Sequence, residues 1–150
     1  MPKRNKKRER GARKREQGAG SGTLRGLPAS LPPLARAFRL QELAADVGFD
    51  WPDARGPMEK VKEEVAELER ETGKGTREKL EEEVGDLLFA VVNLARKLAI
   101  DPRAALERAN DKFTRRFEAV ERLAAERGLD VGRASLEELD RLWEEIKATK

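Results

Sequence analysis

The sequence contains no cysteine and no histidine. Without cysteine there are no disulfides, no thiolate metal sites and no thiol nucleophile. Without histidine, Ser-His triads, histidine zinc sites and the commonest general base are also excluded. Any metal bound here must be a hard cation held by oxygen. Aromatic residues make up only 5% of the chain, and no stretch alternates β-branched and polar residues as a sheet would require. Nor does any apolar run approach the length needed to span a bilayer. The basic N-terminus lacks the apolar stretch of about 7–15 residues that would make it a secretory signal. A cytoplasmic location with no membrane partner is therefore expected.

Charge is what the sequence has in abundance. Asp, Glu, Lys and Arg account for 41% of 150 residues, with a net charge of +3. That total conceals a division. Residues 1–30 hold ten Lys or Arg against two Glu, whereas residues 31–150 hold twenty-two basic against twenty-seven acidic. The segment KRNKKRERGARKREQGAGSG has no apolar periodicity and ends in Gly and Ser, so 1–33 is expected to be a disordered basic tail and linker. Such an arm suits nucleic-acid phosphates, or is simply a solvated extension. Residues 34–150 form one domain's worth of chain.

Within that domain the signals are helical. A first helix is expected from Leu34 to about Val47, followed by the loop GFDWPDARG. Pro57 suits the first turn of a second helix running to about Thr72. After Gly73-Lys74-Gly75, Thr76 can cap a third helix to about Ala99. Asp101-Pro102 opens a fourth, which ends near Arg127 before Gly128. Ser135 and Glu138 form a capping box for a fifth, carrying Trp143. The expected fold is all-α, an antiparallel bundle of four to five helices.

The second and third helices carry paired carboxylates beside apolar stripes. At about 100° per residue, Glu64 lies roughly −60° and Glu67 roughly −120° from Val61, in a stripe continued by Val65 and Leu68. Glu83 and Asp86 lie at the same rough angles from Leu80, in a stripe continued by Val84, Leu87 and Val91. A short turn makes the helices antiparallel neighbours, and stripe-to-stripe packing then brings like flanks to one edge. Glu64, Glu67, Glu83 and Asp86 should converge there, with Glu63 and Glu82 close behind. Unneutralised, such a cluster repels itself. A divalent cation resolves the conflict, and Mg²⁺ (or Mn²⁺ in its place) suits an all-oxygen ligand set. The competing reading is a solvated charged face.

A carboxylate-bound Mg²⁺ with open positions commonly serves a phosphate substrate, which needs cations of its own. In ANDKFTRRFEAV, Phe113, Phe117 and Val120 form a core stripe. Lys112 and Arg116 lie together on one side of it, one turn apart. Lys60, one turn before Glu64, is a third cation. Phe49, Trp51 and Trp143 could stack on a base, or fill a core.

These motifs resemble the MazG-type nucleoside triphosphate pyrophosphohydrolases of the all-α NTP pyrophosphatase superfamily. EExxE at Glu63–Glu67 and ExxD at Glu83–Asp86 carry the likeness, with LQELAADVGFDWPD, EEEVGDLLFAVVNLARKL, RANDKFTRRF and SLEELDRLWEE, from about Leu34 to Lys147. It looks closest to the C-terminal domain of two-domain members. The resemblance implies an α-helical bundle that usually dimerises. It also implies Mg²⁺-dependent cleavage of an NTP or dNTP between the α and β phosphates, to a nucleoside monophosphate and pyrophosphate, as in nucleotide-pool house-cleaning. The family's metal ligands fall on Glu64, Glu67, Glu83 and Asp86. Its nucleotide-binding or activity positions fall on Lys60, Glu63, Lys79, Lys112, Arg116 and Trp143. Only one repeat is present, and the basic tail lies outside the family pattern.

On this reading Glu63 or Glu82, not spent on metal, is the general base, and Lys112 and Arg116 neutralise the leaving pyrophosphate. Two alternatives stay open. One is a non-enzymatic helical protein that binds nucleic acid through its tail; the other is a phosphoribosyl-ATP pyrophosphohydrolase.

Overall fold

The computed structural model describes residues 22–149, so most of the basic arm lies outside the described residues. Residues 22–32 form turns, held by bonds such as Leu31 N–H to the Pro28 carbonyl at 3.1 Å. Five helices follow: α1 Pro33–Asp46, α2 Arg55–Glu71, α3 Arg77–Lys97, α4 Pro102–Glu126 and α5 Leu136–Ala148. No strand occurs among the described residues, so the fold is all-α as the sequence implied. The chain divides into two compact units, the first ending at Arg103 and the second beginning at Ala104. Among the described residues no helix is long and apolar enough to cross a membrane.

In the first unit, α2 packs against α3 and α1 lies against α3. Helix α2 starts two residues earlier than the position of Pro57 suggests. The Asp53 carboxylate accepts from the Arg55 backbone N–H at 2.9 Å and organises the start. Pro57 then sits within the first turn, where a missing N–H has no intrahelical partner to lose. The connection from Thr72 to Thr76 is short enough to return the chain antiparallel. Gly73 takes it through φ 85°, a conformation that side chains disfavour. Thr76 caps α3 by accepting from the Lys79 N–H at 3.2 Å.

The helices are rotated relative to the stripe-to-stripe expectation. The buried residues are Pro57 and Glu64 on α2, and Glu83, Ala90 and Val92 on α3. Val65, Val84 and Val91, placed inside by periodicity, are 39%, 43% and 45% exposed. The face turned inward thus includes the carboxylate flank. The valine edge, with Leu88 at 61%, is left half-open.

In the second unit, Val120 and Ala124 of α4 pack against Leu142 of α5, all nearly inaccessible. Trp143 is partly buried against this cluster. Phe113, expected in the core stripe, is 58% exposed. The Ser135–Glu138 capping box forms in full, and Arg127 grips Glu145 through two bonds of 3.0 and 2.7 Å.

Candidate functional site

Carboxylate oxygens of Glu64 from α2 and of Glu83 and Asp86 from α3 lie within 4.8 Å of one another. Glu64 and Glu83 are buried, at 8% and 5% exposure, while Asp86 is exposed. Two buried acids facing each other across a helix pair are costly unless something neutralises them. Within each helix one lysine does part of this. Lys60 bridges Glu63 at 3.3 Å and Glu64 at 3.2 Å. Lys79 bridges Glu82 at 3.4 Å and Glu83 at 3.2 Å. The symmetry is that of the sequence motif, a lysine four residues before each buried glutamate. Hydrogen bonding to Glu64, then to Glu63, holds the Lys60 ammonium above its ordinary pKa. Glu83, then Glu82, do the same for Lys79.

Glu67 is not part of this trio. Its carboxylate pairs with Arg70 one turn on, an i,i+3 partner available on its own helix. Glu63 and Glu82 stand at the solvent side, 59% and 60% exposed at the side chain. Lys112, Arg116 and Trp143 lie in the second unit. Lys112 is exposed, Arg116 half-buried, and Trp143 tilts against Phe113 with ring centres 5.6 Å apart.

The trio fits a hard divalent cation. In an octahedral Mg²⁺ shell with bonds of about 2.1 Å, adjacent oxygens are about 3 Å apart and opposite ones about 4.2 Å. Oxygens that all lie within 4.8 Å of one another are close to the span of that shell. Mn²⁺, with the same preference for oxygen ligands, fits equally. The donors are all carboxylates, two of them buried, which favours a hard cation over a soft one.

A cleft of about 780 Å³ in the first unit is lined by Lys60, Glu64 and Asp86 together with Gln41, Phe49 and Trp51. Sequence reasoning identified Lys60, Glu64 and Asp86 as chemistry-bearing and offered Phe49 and Trp51 as stacking rings. It passed over Gln41, one amide on an amphipathic helix, whose environment is set by a residue far along the chain. It also passed over the brace of the loop before α2. There Asp50 accepts from Arg96 Nη2 at 2.5 Å and from Lys97 Nζ at 3.0 Å.

Residues 56–121 match the MazG nucleotide pyrophosphohydrolase domain family. The chain is 45% identical over 135 residues to the nucleoside triphosphate pyrophosphohydrolase of Escherichia coli (strain K12), covering 89% of this chain and 51% of that protein. It is 44% identical over 117 residues to the nucleoside triphosphate pyrophosphohydrolase/pyrophosphatase MazG of Thermotoga maritima, covering 78% of this chain and 45% of that one. This chain therefore spans about half the length of these relatives. The α2–α3 carboxylate site lies within the matched segment, and the chain carries a domain of the MazG nucleotide pyrophosphohydrolase family.

Proposed function

We propose that this protein is a divalent-metal-dependent nucleoside triphosphate pyrophosphohydrolase that cleaves between the α and β phosphates. The observation that carries this reading is the convergence of Glu64, Glu83 and Asp86 within 4.8 Å across two helices. The two relatives bear names of the same activity. Glu64, Glu83 and Asp86 would hold the cation, with Glu67 joining them if it releases Arg70. When bound, Mg²⁺ supplies charge neutralisation for the triphosphate and lowers the cost of in-line displacement at phosphorus.

The chain's own residues do the rest. Lys60 and Lys79, paired with Glu64 and Glu83 in the absence of a cation, would be free to turn their ammonium groups to phosphate oxygens once those carboxylates held one. Glu63 or Glu82, exposed and outside the trio, takes one proton from the attacking water. The water oxygen adds to phosphorus, the bridging α–β P–O bond breaks, and its electron pair leaves with pyrophosphate. Lys112, Arg116 and Trp143 carry the family's nucleotide-binding expectation within the second unit, which the KM of their alanine variants tests.

Helix α3 also presents Val84, Leu88 and Val91 at i, i+4 and i+7, all substantially exposed. A second copy of the chain is the occupant proposed for this edge. Sedimentation at micromolar concentration should give a dimer, and Leu88→Glu a monomer.

Incubating the protein with NTP and Mg²⁺ should yield nucleoside monophosphate and pyrophosphate in equal amounts. Release of orthophosphate instead, or turnover undiminished in Glu64→Gln, would refute the reading. A phosphoribosyl-ATP arm decides whether the substrate class is broader.

A further inference from the structure

Resting on that reading, we propose that the cleft holding Lys60, Glu64 and Asp86 also binds the nucleobase, with Trp51 as the stacking face and the Gln41 side-chain carbonyl accepting from an amino group of the base.

Trp51 is fixed yet open. A Cβ added at Gly56 would fall 2.3 Å from the indole Cε3 and 2.6 Å from Cδ2. The ring therefore rests directly on the α2 backbone, which only glycine permits at that distance. The neighbouring Asp50 is clamped by Arg96 and Lys97, and its carboxylate accepts from the Trp51 N–H at 2.8 Å. With its loop braced, Trp51 remains 43% exposed and lines the cleft beside Phe49. An immobilised indole with an open surface is a stacking platform whose ordering cost has already been met by the fold.

Gln41 supplies polarity. It is 7% exposed, and its Nε2 donates to the Phe89 carbonyl at 2.8 Å. Because a carbonyl can only accept, that bond fixes the amide orientation. It leaves Oε1 as a buried acceptor with no donor among the described residues. Such an orphan is uncommon and destabilising unless a ligand completes it. Cytosine, adenine and guanine each bring an amino group to the pairing edge. Uracil and hypoxanthine have carbonyl oxygen or hydrogen at those positions, and an oxygen set beside Oε1 would be repelled. Bases bearing an amino group should bind better.

Calorimetry with non-hydrolysable α,β-methylene analogues in Mg²⁺ reads base binding separately from turnover. The CTP analogue should bind about tenfold or more tightly than the UTP analogue, the difference expected of one net hydrogen bond. In Gln41→Leu that ratio should fall below about threefold, close to the loss of that bond. Trp51→Ala should weaken every analogue by about tenfold or more, as loss of a stacked base implies. Inorganic tripolyphosphate, which has no base, should bind that variant unchanged, and Trp51→Phe should recover most of the affinity. Equal binding of both analogues by the wild type, an unaltered ratio in Gln41→Leu, or equal weakening of tripolyphosphate and nucleotide in Trp51→Ala would each overturn the base subsite. Failure to hydrolyse NTP, with base discrimination intact, would refute the catalytic reading alone.

Discussion

Two groups of acids in the first unit are treated in opposite ways. Asp50 is one carboxylate held by two cations, Arg96 and Lys97, on another element of the same unit. The hydrogen bond from Arg96 foremost holds its carboxyl well below the usual carboxylate range, against the opposing effect of burial. Across α2 and α3, five carboxylates (Glu63, Glu64, Glu82, Glu83 and Asp86) share, among the described residues, only the ammonium groups of Lys60 and Lys79. Asp86 has no ion pair among the described residues. An acid given more positive charge than it needs fastens a loop. Acids given less are, on the proposed function, free to take a cation that is not part of the chain.

The largest effect should come from removing a member of the under-neutralised group. Glu83→Gln should lower kcat by at least about a hundredfold through loss of a metal ligand. Without divalent metal, the same variant should melt no lower than the wild type, because one of several like charges is gone. A differential scanning experiment with and without Mg²⁺ reads both halves, and a large loss of metal-free stability would count against the site. Next come the lysines. Lys60→Ala and Lys79→Ala should each raise KM for NTP by about ten- to hundredfold, the effect of losing a charge-assisted phosphate contact. A change confined to kcat would instead assign them to chemistry.

The over-neutralised acid should behave as structure. Asp50→Asn should cost about 1–2 kcal/mol at neutral pH through lost charge-assisted bonds. The folded-state pKa of Asp50 lies below its ordinary value of 3.8. Its contribution is therefore complete above that pH and lost as the pH falls through the lower folded value. Melting temperature against pH between 2 and 6 should drop less steeply in Asp50→Asn than in the wild type, and equal slopes would exclude Asp50 as the source. The smallest effect concerns the end of α3. There Ile100 N–H bonds the Ala95 carbonyl at 2.9 Å and Ala99 N–H the Arg96 carbonyl at 3.0 Å. This helix-closing motif puts Ala99 at φ 58°. Ala99→Gly should stabilise by up to about 1 kcal/mol, strain relief outweighing added chain entropy. Chemical denaturation would detect it.

What the sequence made legible follows from range. Caps at Thr76 and Ser135 and the start at Pro102 depend on residues within one turn, and they formed where expected. The convergence of Glu64 with Glu83 and Asp86 needed only helical angle and a short turn. Glu67 was harder, because Arg70 competes for it on its own helix. Burial of the stripes was misjudged. Periodicity locates an apolar face, but the angle at which two helices meet depends on what else covers them, and Val84 and Val91 were left half-open. Gln41 with Phe89 and Asp50 with Arg96 are 48 and 46 residues apart, and no local pattern announces such pairs. The cleft as a whole, built from those long-range contacts, was correspondingly invisible, although its aromatic residues and Lys60, Glu64 and Asp86 were legible one by one.

The claim beneath all of this is that α2 and α3 together make a divalent-cation site. Mn²⁺ titration followed by electron paramagnetic resonance tests it without substrate or turnover. Wild-type protein should remove the free Mn²⁺ signal saturably, Mg²⁺ should restore that signal by competition, and Glu64→Gln and Glu83→Gln should each abolish the effect. A wild-type signal that stays free at millimolar Mn²⁺, or binding that both variants retain, would contradict it.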